Sequence, residues 1–91
     1  MEASEDFVWV FTSPGGNFPG GIFDSREEAT AWIEKHTLTG TLTKYPVGIS
    51  AFDFAVRNGW YSPKGNSHDH KIMETFSCAS MEHYHFEDGT S

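Results

Sequence analysis

The sequence holds one cysteine, Cys78, in 91 residues. No internal disulfide can form, which removes the usual staple of small secreted domains and points to a reducing compartment, the cytoplasm. Basic residues are also few, six Lys and Arg against 13 Asp and Glu, for a formal net charge of −7. Arg26, Lys35, Lys44, Arg57, Lys64 and Lys71 are scattered along the chain, so no basic stripe follows a phosphate backbone and nucleic-acid binding is disfavoured. No stretch approaches the ~18 apolar residues of a membrane span. Met1 to Asp6 is acidic and polar rather than basic and then apolar, so no secretory signal and no membrane association are expected. A G-x-S-x-G elbow, an H-E-x-x-H helix, a Walker loop and a dinucleotide fingerprint are all missing, which leaves little basis for an enzyme. Ser77, Cys78 and Ser80 lie a few residues from His83, yet nearness in sequence alone does not make a nucleophile and base.

Aliphatic residues are thin as well, and aromatics take their place. Eight Phe, three Trp and three Tyr make 15% of the chain, and each ring buries ~150 to 250 Å² when enclosed. The length suits one compact domain, 1–91, with 1–6 and 88–91 as flexible tails.

Phe7-Val8-Trp9-Val10-Phe11 reads as a strand, bounded by Asp6 and the turn formers Ser13-Pro14-Gly15-Gly16. Phe7, Trp9 and Phe11 point to one side and Val8 and Val10 to the other, so both sides are apolar and the strand belongs inside a sheet. The Gly/Pro-rich stretch to Gly21 reverses the chain into a short strand, Gly21 to Phe23. It lacks the Lys-Ser/Thr of a phosphate-binding loop and is read as a turn. Ser25-Arg26-Glu27-Glu28 carries the signature of a capping box and opens a helix with Ala29, Trp32, Ile33 and His36 on one face. His36, at the helix end, suits the macrodipole better than catalysis.

Leu38 to Tyr45 alternates, Leu38, Gly40 and Leu42 on one face and Thr39, Thr41, Thr43 and Tyr45 on the other, as a half-buried strand does. Ser50 caps a second helix over Ala51 to Asn58, stopped by Asn58-Gly59, although the aromatics two apart also fit a strand. Trp60 to His70 reads as a loop, and Lys71 to Phe76 fits either a strand or a helical turn. In the last strand Tyr84 and Phe86 share a face with Glu82, and His83 and His85 share the other with Met81. The expected fold is α+β, a small antiparallel sheet of three to five strands with two helices packed on one face.

Phe7-Val8-Trp9-Val10-Phe11, the capped helix around Trp32, Leu38-Thr39-Gly40 with Tyr45-Pro46-Val47-Gly48, Phe52-Asp53-Phe54-Ala55-Val56 and Glu82-His83-Tyr84-His85-Phe86 together resemble a family of small, mostly bacterial domains with no established function. The resemblance spans most of the chain. It implies a stand-alone domain and carries over no catalytic residue and no cofactor.

Two features bear on function. Four of the five histidines form two H-x-H pairs, His68-Asp69-His70 and His83-Tyr84-His85, and neutral imidazole is the commonest transition-metal ligand. Residues two apart on a strand lie ~6 to 7 Å apart on one face, close enough for two imidazoles to share a zinc or nickel ion. Against this, His83 and His85 are ordinary polar residues for the outer face of a strand, and His68 and His70 sit in a Ser/Asn/Gly-rich loop. The second feature is the combination of negative charge and surplus rings. It favours a non-catalytic binding or regulatory module, a homodimer or an inhibitor-like protein that meets a basic surface, with Trp9, Thr41, Tyr45 and Trp60 as candidate interaction residues. Asp53 and Arg57, four apart on a helix, suit a surface ion pair.

Overall fold

The computed structural model of the chain describes residues 6–62 and 70–91. Its elements are β1 (Phe7–Thr12), β2 (Gly21–Phe23), α1 (Arg26–Lys35), β3 (Gly40–Pro46), α2 (Ala51–Arg57), α3 (His70–Glu74) and β4 (His83–Phe86). The four strands form one antiparallel sheet in the order β2-β1-β3-β4. β1, apolar on both sides, is an inner strand, as its composition requires.

Register divides the sheet into two unlike faces. Trp9 lies opposite Phe23 and Lys44, Phe11 opposite Gly21 and Leu42, and Leu42 opposite Tyr84, so these residues share one side. α1 packs there, placing Ala29 and Ile33 against Trp9, Phe11, Leu42 and Phe86 in one core. Trp32 flanks it, 5.7 Å from the Phe11 ring and 5.4 Å from the Phe23 ring. Gly40 is required here, because a Cβ at that position would stand 2.6 Å from both the Phe11 Cζ and the Thr12 carbonyl oxygen.

Both capped helices form where their serines are. Ser25 Oγ accepts from the Glu28 backbone N–H at 3.1 Å, and Ser50 Oγ from that of Asp53 at 3.0 Å. α2 fits the helical alternative for Ala51 to Asn58 rather than the strand. Its Phe54 meets Phe7 edge to face at 5.9 Å on the α1 side of the sheet, and Phe52 joins Tyr61 and Phe76 in an aromatic cluster with centroids 5.3 to 5.6 Å apart.

Three stretches take a definite form. Lys71 to Phe76 contains a helical turn rather than a strand, and that turn starts at His70, inside the stretch read as loop. Periodicity over so few residues could not separate the two. The stretch 88–91 folds back on Leu38 and Thr39. Asp88 N–H donates to Thr39 Oγ1 at 3.0 Å, Gly89 N–H to the Leu38 carbonyl at 2.8 Å, and Glu87 pairs with Thr90. The last strand is also shorter than Met81 to Phe86, because Met81 closes a turn with the Cys78 carbonyl before β4 begins.

Candidate functional site: the open sheet face and the β4 edge

The face opposite α1 carries Val8, Val10, Thr12, Ile22, Thr41, Thr43, Tyr45, His83 and His85, by the same register that puts Trp9 and Leu42 on the other side. α1 packs on the other face, and Ile22 is 63% exposed on this one. None of these side chains carries a formal charge with histidine neutral, although the molecule as a whole is at −7. The residues from Ser77 to Ala79 line a shallow cavity of about 260 Å³ at one end of this face, with Thr41, Thr43, Tyr45, Met81 and His83. Its walls offer hydroxyls, the half-buried Cys78 thiol and one imidazole.

β4 is an edge strand, and its hydrogen bonding decides what that edge presents. The Lys44 N–H donates to the Glu82 carbonyl at 3.0 Å, and Thr43 lies opposite His83. Lys44/Glu82 is thus a hydrogen-bonded pair, and the alternation of an antiparallel ladder extends this to Leu42/Tyr84 and Gly40/Phe86. The intervening His83 and His85 turn their backbone N–H and C=O groups outward, away from β3. Their rings share the open face, with centroids 5.1 Å apart and planes at 88°. His83 Nδ1 lies 2.6 Å from the Met81 carbonyl, which can only accept, so Nδ1–H donates to it and, in the neutral ring, the lone pair is on Nε2. His85 Nδ1 lies 3.3 Å from Thr41 Oγ1.

The residues singled out from the sequence are dispersed. Thr41 and Tyr45 lie half-buried on the open face. Trp9 is 7% exposed in the core, its ring 6.1 Å from that of Tyr84, and offers a partner little surface. Trp60 is 39% exposed at another place. There it packs 5.5 Å from Phe54 and lines a cavity of about 250 Å³ with Phe7, Lys44, Ser80, Met81 and Glu82. Of the two H-x-H pairs, His83 and His85 come together, His70 opens α3, and His68 and Asp69 lie outside the described residues. Among the described residues no group of three or more His, Cys, Asp or Glu is placed to hold a metal ion.

Sequence reading passed over Ile22 and Thr43. The alternation of the strands already put Thr43 beside Thr41 and Tyr45, whereas Ile22 follows only once its pairing with Val10 is known. On the other face, Tyr84 O–H donates to Glu82 Oε2 at 2.7 Å, and Arg26 stacks 3.8 Å from the Tyr84 ring centre. The bond to Glu82 holds the Tyr84 pKa above the ordinary tyrosine value. Burial works in the same direction and the Arg26 charge against it.

No curated protein and no solved structure matches this chain. A family model does match, over residues 8–91, which is nearly its whole length. The chain belongs to the family described as Domain of unknown function (DUF7710).

Proposed function

We propose that this domain is a non-catalytic interaction module that associates with a second copy of itself through the β4 edge and the open face beside it. The observation that carries the reading is a sheet face without a charged side chain, on the side away from α1, in a protein of net charge −7. Pairing at this edge sets two such faces side by side without bringing like charges together, whereas a basic partner would be drawn toward the acidic residues elsewhere. Glu27, Glu28 and Glu34 all lie on α1, and α1 packs on the opposite side of the sheet. The contact of Phe54 of α2 with Phe7, whose ring is on the α1 side, supports reading the other side as the one for a partner. A short edge strand with outward backbone groups and no proline or lysine has none of the devices that block strand addition. A cytoplasmic setting suits a chain with one free thiol.

Sedimentation velocity of the untagged chain, with and without added zinc, tests this. A species of twice 10.2 kDa is expected in at least one condition, and Thr43→Glu, which puts a carboxylate on the face, should return it to 10.2 kDa. A monomer in both conditions at the highest soluble concentration overturns the reading, as does a dimer indifferent to Thr43→Glu.

A further inference from the structure

We infer that His83 and His85 are one half of a transition-metal site that a second copy of the chain completes across the β4 edge. The inference rests on the self-association reading above and adds the ion that joins the two copies.

The pair has the local features of ligands. Metal-bound histidines usually donate one ring N–H to a carbonyl or another acceptor of the fold and coordinate through the other nitrogen. His83 does the first, donating Nδ1–H to the Met81 carbonyl at 2.6 Å and leaving the Nε2 lone pair free. The Thr41 hydroxyl stands 3.3 Å from His85 Nδ1 and can accept from it in the same way. Spacing agrees as well. With metal–nitrogen bonds of about 2.0 to 2.1 Å and a tetrahedral angle, two imidazoles on one ion have their centres roughly 5 Å apart. The rings of His83 and His85 are 5.1 Å apart.

Two imidazoles do not fill a tetrahedral site, and no third His, Cys, Asp or Glu stands near enough among the described residues. The edge supplies the others. Because the outward-facing backbone groups belong to His83 and His85, two copies of β4 pair antiparallel with His83 opposite His85 of the second copy and Tyr84 on the two-fold axis. Directly opposite residues share a face, so both histidine pairs stand on the open side as a two-by-two array. In that register Glu82 faces Phe86 of the second copy, so no carboxylates oppose each other. An all-imidazole set suits zinc, nickel or copper(II) and discriminates against the oxygen-seeking magnesium and calcium.

The test uses the full untagged chain and zinc chloride as the probe. The mass in sedimentation velocity should double on adding zinc, at one ion per two chains by calorimetry, and EDTA should reverse it. His83→Ala/His85→Ala should abolish both effects while leaving the circular dichroism spectrum unchanged. His68→Ala/His70→Ala should leave both effects in place. A dimer that persists in EDTA and ignores zinc overturns the metal site and leaves the self-association reading standing. One zinc per chain on a species that stays a monomer throughout overturns both. A response that depends on His68 or His70 overturns the two-copy site in favour of one within a single chain.

Discussion

Thr37 stands at the end of α1 where Gly59 stands at the end of α2. Each has positive φ, 50° and 76°, and each helix closes with the same two backbone bonds. Thr37 and Leu38 donate to the carbonyls of Glu34 and Ile33, and Gly59 and Trp60 to those of Val56 and Ala55. The left-handed conformation costs a side chain about 1 to 2 kcal/mol and costs glycine almost nothing. Thr37→Gly should therefore stabilise the fold, by ~0.5 to 1 kcal/mol once the greater freedom of glycine in the unfolded chain is subtracted. The urea midpoint should rise at constant slope. A lower midpoint would show that the Thr37 hydroxyl, which donates to the His36 carbonyl at 2.7 Å, outweighs the backbone effect.

Gly40→Ala should destabilise the domain by about 1 to 3 kcal/mol. The added methyl meets the Phe11 ring, which can turn only against Trp32, and the Thr12 carbonyl oxygen, which belongs to the β1 backbone and cannot yield without shifting the strand. Thermal unfolding measures it. A midpoint equal to that of the natural chain would mean that β1 and β3 separate more easily than their long ladder suggests.

Two isoleucines separate core from face. Ile33 is fully buried between α1 and the sheet, and Ile33→Ala should cost ~2 to 5 kcal/mol. Ile22 points from β2 into the open, and Ile22→Thr should move the stability of the single chain by less than about 0.5 kcal/mol. Denaturation of the two variants under dilute, zinc-free conditions makes the comparison. An equal loss from both would mean that something covers Ile22 in solution.

Much of this arrangement was legible in the residues themselves. Ser25 with Glu28, and Ser50 with Asn58-Gly59, marked two helices because caps are local chemistry. The alternation through Gly40, Leu42 and the threonines marked the two faces of β3. What escaped was set by long-range pairing. Both sides of β1 are apolar, so its own sequence could not say that the larger rings, Trp9 among them, take the side under α1. The hold on Gly89 comes from Leu38, about fifty residues earlier, and has no local signature. The position of β4 at the edge, from which the outward backbone of His83 and His85 follows, depends on strand order, which composition does not encode.

Tyr84 offers a check on the other face of β4. Its hydroxyl donates to Glu82, so ionisation breaks a bond and sets a phenolate beside a carboxylate, and its pKa is raised in the folded chain. A group with a raised folded pKa binds its proton more tightly when native. Its contribution is therefore whole below the unfolded value, ~10 for tyrosine, and is lost as pH climbs through the higher folded value. Glu82→Gln takes away the negative charge, so the Tyr84 pKa should fall toward the ordinary value and the part of the alkaline stability loss that Tyr84 causes should shrink. Tyrosinate absorbance, recorded in the natural chain, in Glu82→Gln and in Tyr84→Phe, isolates the Tyr84 step from those of Tyr45 and Tyr61. A Tyr84 step at the same pH with and without the Glu82 carboxylate would show that the 2.7 Å contact does not persist in solution.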